Sequence, residues 1–509
     1  MAFDFTIFSD AWLTILSNPI LIVWIFVGVT SGIIMGCLPG LTATTGCALL
    51  IPFTFGRPPL EGLLMLMGVF VGGIYGGSIS GILIRTPGTP SAAATLLDGF
   101  PLAQKGLGGR AIGMSTVASF VGGTVGALIM TFMSPTIAEV GLKFGPAEFF
   151  ALALFGMSMI IAVSGVSLLK GVISALVGLL VTTIGFDPLS GLPRFTFGQM
   201  YLLDGLSFIP VLIGLFGIAQ VFRNIEKMGI GQRIKTDLTK ILPQFREIWA
   251  VKVTMLKSAV MGTFIGSIPG TGCDIAAFAS YAEAKRSSKH PEKFGTGVLE
   301  GVAAPEAGNN AAVGGAMIPM LTLGIPGDAF TAVMLGALTI HNFQPGPIFF
   351  RENLDVVYPM FAGLILAQAV LLFVGLLGAR FFARLVSLDP RMFTAVIFLL
   401  CIIGSYAMQF SSTDVFVTLG VGLIAYFMDY LRFPVSPILL ALILGPLGEQ
   451  NLRRALQISH GDFTTFINPM EHPISLAFIL IAIAALASMY FRLRKSRLEE
   501  LSREIESAE

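Results

Sequence analysis

Gly32-Ile33-Ile34-Met35-Gly36-Cys37-Leu38-Pro39-Gly40 returns 230 residues later, in its glycines and its Pro-Gly break, as Gly262-Thr263-Phe264-Ile265-Gly266-Ser267-Ile268-Pro269-Gly270. A second pair follows: Arg85-Thr86-Pro87-Gly88-Thr89-Pro90 and, 239 residues on, Gly324-Ile325-Pro326-Gly327-Asp328. The chain reads as a duplication. Each break lies in sequence apolar enough for a bilayer, where a freed backbone N–H or C=O costs roughly several kcal/mol unless protein, water or a ligand satisfies it. One Pro-Gly can simply end a helix at an interfacial turn. Four in two matched pairs point instead to the binding site of a membrane carrier.

The composition sets the solvent. Of 509 residues 54% are hydrophobic and 12% charged, against about 25% charged in an ordinary soluble domain. Apolar runs recur at about 61–84, 112–133, 149–166, 168–185, 205–222, 297–323, 356–378, 392–410, 413–431 and 474–491, each near the length that crosses ~30 Å of hydrocarbon. With broken segments around 19–55, 253–282 and 434–447, the expectation is an all-α polytopic protein of the lipid bilayer with about 10–12 transmembrane helices. Runs such as Gly72-Gly73, Gly76-Gly77 and Gly122-Gly123 read as helix contacts. A net charge of +1 leaves no nucleic-acid footprint. Cys37, Cys47, Cys273 and Cys401 have no C-x-x-C spacing and no neighbouring histidine, so they read as small packing residues. The first cation is Arg57, so no cleavable signal peptide is expected.

Charge gives an orientation. Residues 1–56 hold no Lys or Arg, whereas Arg223, Lys227, Arg233, Lys235, Lys240, Arg246, Lys252 and Lys257 crowd the middle. The positive-inside bias puts that linker in the cytoplasm and the N-terminus outside it. Lys285-Arg286-Ser287-Ser288-Lys289 is also basic, so both flanks of 258–282 face the cytoplasm and the segment reads as a re-entrant hairpin with Pro269-Gly270 at its tip. The matching first-half flank, Gly56-Arg57-Pro58-Pro59, is nearly free of cations. Lys105 and Arg110 follow the Pro87-Gly88 break, but no cation follows Pro326-Gly327 until Arg351. These reversals predict inverted-topology repeats: 1–222, a basic linker 223–257 with amphipathic character, 258–491 with its terminal helices, and a charged cytoplasmic tail 492–509.

A helix restarting after Pro-Gly aims unpaired N–H groups and its positive dipole end inward, which suits carboxylates. The candidate anion site is therefore Pro39, Gly40, Thr42 and Thr44, with Arg85, Pro87, Gly88, Thr89 and Ser91, in the first half, and Pro269, Gly270, Thr271, Pro326, Gly327 and Asp328 in the second. Arg85 can grip a carboxylate through paired hydrogen bonds or snorkel to the interface. Carbonyls released before the prolines suit Na⁺, and Tyr75, Ser78, Ser80, Asn309 and Asn310 are expected to complete cation sites, one per half, with Gly76 to Ser80 as the counterpart of Asn309-Asn310. Glu300 and Glu306 either carry protons, bind Na⁺ or sit at wet helix ends; His341 reads as a loop residue. No H-E-x-x-H, P-loop or G-x-S-x-G motif is present.

At these motifs the sequence resembles the large membrane subunit of tripartite tricarboxylate transporters, the TctA family. The resemblance rests on Gly36 to Gly40, Gly72 to Ser78, Arg85 to Thr95, Asp98-Gly99-Phe100-Pro101, Gly266 to Gly270, Glu306-Ala307-Gly308-Asn309-Asn310-Ala311-Ala312, Gly324 to Asp328 and His341 to Pro347. It implies a secondary transporter of the bacterial inner membrane, similar in plan to elevator-type carboxylate carriers. The resemblance further implies a small TctB-like membrane subunit and a periplasmic TctC-like solute-binding protein that delivers a di- or tricarboxylate. It implies no cofactor beyond a coupling ion, Na⁺ or H⁺. A homo-oligomer is compatible with it. Some relatives carry an uncharged residue at the position of Arg85. Other readings of the same breaks are an uncoupled anion channel and an intramembrane hydrolase, the latter suggested by Asp274 and Asp328.

Overall fold

The computed structural model describes residues 3–38, 40–163, 167–226, 241–388 and 390–506. Pro39, the linker positions 227–240 and the side chains of the tail 492–509 lie outside the described residues. The fold is all-α. Its helices are α1 Phe5–Ser17, α2 Pro19–Cys37, α3 Ala43–Leu50, α4 Pro59–Ile84, α5 Ala92–Gln104, α6 Gly108–Gly141, α7 Pro146–Val163 and α8 Leu168–Thr182. Next come α9 Phe208–Leu212 and α10 Ala219–Glu226, joined by a π-helical turn, then α11 Phe245–Ala250, α12 Lys252–Gly266, α13 Gly272–Ser287, α14 Glu300–Leu323 and α15 Ala329–Ile340. The last are α16 Pro347–Glu352, α17 Leu354–Val386, α18 Pro390–Gln409, α19 Ser412–Tyr430, α20 Ser436–Ile458 and α21 Pro473–Glu506. Among the described residues, eight helical stretches are long and apolar enough to cross a membrane.

The expected spans 149–166 and 168–185 correspond to the shorter apolar helices α7 and α8, with positions 164–166 outside the described residues. Of the broken segment expected around 434–447, only its first two residues lie outside a helix, and α20 runs unbroken from Ser436 through Pro446. Proline there removes one N–H donor without unwinding the helix, as membrane helices tolerate when neighbours satisfy the freed group.

Two compact units divide the chain: Met1–Leu142 with Ile209–Tyr426, and Lys143–Phe208 with Phe427–Glu509. All four Pro-Gly breaks belong to the first. In it α2 turns at Leu38–Thr42 into α3, and α12 turns at Ser267–Thr271 into α13. The second turn is an antiparallel hairpin, closed at its far end by the Lys257–Glu283 ion pair. Fifteen residues of α12 reach about 22 Å, short of the ~30 Å hydrocarbon layer. Only eight residues of α3 answer sixteen of α13, which accounts for most of the change of repeat offset from 230 to 239.

Glycines draw these hairpins against the long helices, and the contacts match between halves. A methyl group on Gly32 would lie 2.5 Å from the Val69 carbonyl oxygen, and one on Gly262 2.2 Å from that of Gly308. The same holds for Gly36 on Gly73 (2.2 Å) and Gly266 on Ala312 (2.6 Å), and for Gly76 on Ile33 (2.5 Å) and Gly315 on Thr263 (2.2 Å). Each α2 position is offset by 230 from its α12 counterpart, and each α4 position by 239 from its α14 counterpart. Side chains at these points would push the helices apart, so the backbones pack directly, the contact that membrane helices favour.

The next long helices cross over. Gly122 and Gly126 of α6 lie on the carbonyls of Ala307 and Ala311 in α14, while Gly363 of α17 accepts Leu64 of α4. Between themselves α6 and α17 run antiparallel, with Gly123 against Gln368 and Thr116 against Gly375.

In the second unit α7 packs on α20 and α21, Gly178 of α8 touches the Ile438 carbonyl, and a two-residue ladder pairs Gly185–Phe186 with Pro193–Arg194. Asp187 in that loop joins Arg194, Glu449 and Arg453 in an ion network. Backbone N–H groups of Ser190 and Leu189, and the Arg453 guanidinium, hold its carboxyl well below the usual carboxylate range.

Candidate functional site

The breaks of each half meet through their backbones. In the second half the Gly270 N–H donates to the Gly327 carbonyl at 2.8 Å. A methyl on Gly327 would sit 2.5 Å from Ala316 and 2.9 Å from the Gly266 carbonyl oxygen, so residue 327 must be glycine-sized. Pro269 and Pro326 are buried. In the first half Gly88 packs on the Gly36 carbonyl in the corresponding way and donates its N–H to the Gly77 carbonyl at 3.2 Å. Beside it Ser80 donates to the same Gly77 carbonyl at 3.2 Å, and the Thr89 and Ser91 hydroxyls are 3.1 Å apart. Pro87 is half-buried here.

The helix starts are differently provided for. Thr42 caps α3, accepting the Thr45 N–H at 3.1 Å, with Thr44 half-buried behind it. Asp328 caps α15, accepting both the N–H and the hydroxyl of Thr331 at 2.8 Å. In the first turn of α13 stands a second acid, Asp274. The chain's own acids thus occupy two of the positions suited to a substrate carboxylate. Thr271 gives α13 no side-chain cap; its hydroxyl donates to the carbonyls of Ile268 at 2.9 Å and Ile265. Gly40, at φ +90°, lies against the side chains of Gln220 and Asn224 on α10, which sequence reasoning missed.

Arg85 is exposed and ends α4 in the left-handed region, φ 57°, where its repeat counterpart Gly324 has φ 73°. An L-residue pays about 1–2 kcal/mol for that conformation and glycine does not. The guanidinium lies 5.7 Å from the Phe100 ring centroid.

Four of the five expected cation residues come together, though not around the breaks. Tyr75 hydrogen-bonds Thr116 at 2.8 Å, Ser78 meets Ser115 at 2.7 Å, and Ser115 donates to Glu306 Oε2 at 3.1 Å. Ser119 donates to the same oxygen at 2.9 Å and Thr95 to Oε1 at 2.5 Å. The Asn310 amide donates to Ser119 at 2.9 Å and to Asn309 Oδ1 at 2.8 Å. All these side chains are fully buried. Ser80 stays apart, at the Gly77 carbonyl. The partners of the Asn310 amide are the Ser119 hydroxyl, the backbone carbonyl of Glu306 and Asn309 Oδ1, and not carbonyls freed by Pro269; Pro39 lies outside the described residues. At the repeat offset of 239, moreover, Glu306, Asn309 and Asn310 answer to Met67, Phe70 and Val71, so the polar groups that α14 brings to this cluster have no counterpart in the first half. Gly76 answers instead to Gly315, by the matched glycine contacts.

The other acids resolve similarly. Glu300 accepts from Thr254 at 2.8 Å and Ser288 at 3.0 Å, tying α14 to the ends of the α12–α13 hairpin. Asp98 on α5, unassigned by sequence reasoning, is buried and accepts N–H groups of Gly295, Gly297 and Val298 at 2.8–3.0 Å and the Tyr281 hydroxyl at 2.9 Å. His341 touches Thr54 at 3.3 Å at the end of α15. Among the described residues no group of three His, Cys, Asp or Glu is placed to hold a metal ion.

Apolar helices of membrane-crossing length define the class: a multi-pass helical membrane protein. Residues 22–440 match the tripartite tricarboxylate transporter TctA family, and the chain belongs to that family of membrane transporter components. It is 36% identical over 472 residues, 92% of each chain, to an uncharacterised 52.8 kDa protein in the TAR-I ttuC′ 3′ region of Agrobacterium vitis. It is also 34% identical over 230 residues, 45% of this chain and 95% of the relative, to an uncharacterised protein in the TAR-II ttuC′ 3′ region of the same organism. No solved structure matches it.

Proposed function

We propose that this chain is the large subunit of a solute-binding-protein-dependent secondary transporter that imports organic anions, di- or tricarboxylates, on a Na⁺ or H⁺ gradient. One observation carries the reading: in each half a Pro-Gly break packs its glycine on the backbone of a second break, Gly88 on Gly36 and Gly327 on Gly266. Helices that restart beside such junctions present their first N–H groups and positive dipole ends, which suit carboxylates. Arg85 and the Thr42 to Thr44 turn are the groups assigned to the anion, since Asp274 in the first turn of α13 and Asp328 at the start of α15 repel a second negative charge there.

The halves are taken as inverted repeats. Support comes from the antiparallel pairing of the corresponding helices α6 and α17, since two equivalent membrane-crossing helices that run oppositely are related by an axis in the membrane plane. An elevator-like movement of the hairpins, an inner-membrane location with cytoplasmic linker and tail, and TctB-like and TctC-like partners complete the reading. Family membership supports the partners. Uptake of radiolabelled di- and tricarboxylates into proteoliposomes, with both partners present and Na⁺ and pH gradients imposed separately, tests it. Accumulation above the outside concentration is expected. Equilibration without accumulation would make the protein a facilitator, and loss of substrate mass would make it a hydrolase.

A further inference from the structure

We propose that the Glu306 cluster binds Na⁺ as the coupling ion, an assignment that rests on the transport reading and names the site of its driving force. Glu306 lies in mid-helix, fully buried, and its hydrogen-bond partners are the neutral hydroxyls of Thr95, Ser115 and Ser119. No lysine, arginine or histidine pairs with it among the described residues. A buried carboxylate without a counter-charge is strongly disfavoured, and a bound cation cures this.

The surrounding donors decide which cation. Every ligand on offer is oxygen, which selects a hard cation over a soft transition metal. A hydroxyl has two lone pairs as well as its proton, so Thr95, Ser115 and Ser119 can turn oxygen toward an ion that enters between them and the carboxylate. One carboxylate matches one positive charge, and only a monovalent ion leaves the cluster neutral. A second observation is independent of the acid: the buried Oδ1 of Asn310 has no hydrogen-bond partner, although the same amide's nitrogen is bonded to Ser119 inside the cluster. Turning that amide over would place nitrogen in the same unpartnered position. A buried polar atom is rarely left so, and an acceptor oxygen there is a ready ligand.

The position also suits coupling. Thr95 comes from α5 and the serines from α6, both of the first half; Glu306 and the asparagines come from α14 of the second. Through Ser115 the cluster reaches Ser78 on α4, six residues before the Ile84 end of that helix and the break it leads into. An ion gripped by three helices favours the arrangement that brings them together, and differential affinity of this kind is what lets a ligand shift a conformational equilibrium. Because the corresponding first-half positions are Met67, Phe70 and Val71, the two halves do not supply equivalent copies of this site.

The test uses the purified full chain in lipid-supplemented detergent: ²²Na⁺ binding, and melting temperature against NaCl with choline chloride holding ionic strength constant. Wild type should show a saturable response to Na⁺ and none to K⁺. Glu306→Gln should abolish it, and Ser119→Ala and Asn310→Ala should each raise the half-saturating Na⁺ concentration about tenfold, as loss of a charge-assisted contact does. Ser134→Ala, on the same helix but bonded only to the Met130 carbonyl, should leave it unchanged. A folded Glu306→Gln protein with a wild-type Na⁺ response would overturn the assignment. If that variant does not fold, unchanged Na⁺ affinity in both Ser119→Ala and Asn310→Ala would overturn it equally. Organic-anion uptake driven by a pH gradient, in a protein that binds no Na⁺, would remove this site and leave the transport reading intact. Saturable Na⁺ binding without any organic-anion uptake would do the reverse.

Discussion

Arg85 separates a backbone penalty from a ligand contact, and replacing it by glycine and by alanine measures both. The left-handed backbone at this position costs an L-residue about 1–2 kcal/mol, and glycine gives back roughly 0.5–1 of that through its freer unfolded chain. Arg85→Gly should therefore be more stable than Arg85→Ala by about 0.5–1 kcal/mol, the reverse of the order at an ordinary helix position. Both variants lose the contact with Phe100, worth about 0.5–1 kcal/mol at an exposed site, so Arg85→Gly should match wild type within roughly 1 kcal/mol. Transport should behave otherwise. If the guanidinium holds a substrate carboxylate, losing a charge-assisted pair of about 1.5–3 kcal/mol lowers apparent affinity for the anion some 10- to 150-fold in both variants alike, at ~1.4 kcal/mol per tenfold. Melting in detergent gives the first quantity and proteoliposome uptake with the binding protein the second. Wild-type uptake by Arg85→Gly would refute the ligand role and leave an interfacial arginine. An alanine variant more stable than the glycine one would refute the strain.

The remaining expectations are narrower. Asp98→Ala removes an acceptor from three backbone N–H groups and a tyrosine hydroxyl; with buried donors costing about 1–3 kcal/mol each when orphaned, it should lower the melting temperature far more than Asp98→Asn, and equal melting of the two would show that water replaces the carboxylate. Asp187 has a depressed folded-state pKa, so its contribution is fully present above the unfolded carboxylate value, ~3.9, and is lost as pH falls through the lower folded value. Asp187→Asn should thus be less stable than wild type at pH 7, and the difference should shrink on acidification below about pH 4; a pH-independent difference would assign the effect to packing. For topology, single cysteines at Ser9 and Arg57 should react with an impermeant thiol reagent from the periplasm and one at Ser288 only after the cytoplasmic side is opened. Labelling of position 57 from the cytoplasm would sink the inverted arrangement.

The repeat was legible because glycine and proline carry structural meaning singly: Gly36, Gly76, Gly88, Gly266, Gly315 and Gly327 stand where backbones touch, and no larger residue could. The same logic misled at Pro446, where proline sits inside the continuous α20, since a lone proline states only that one N–H is missing. The cation cluster was legible in part. Asn309, Asn310 and Ser78 stand out as polar in apolar runs, and Glu306 as a carboxylate among them. Thr95, Ser115 and Ser119 do not, because hydroxyl residues commonly bond their own helix carbonyls, as Thr131 and Ser134 do further along α6. What distinguishes the three is the carboxylate from the other half of the chain, brought to them because Gly122 and Gly126 let α6 close on α14. Comparing the halves position by position therefore finds the scaffold that they share and misses this polar site. The site has no counterpart at Met67, Phe70 and Val71, and it forms only where one half's helix packs on the other's.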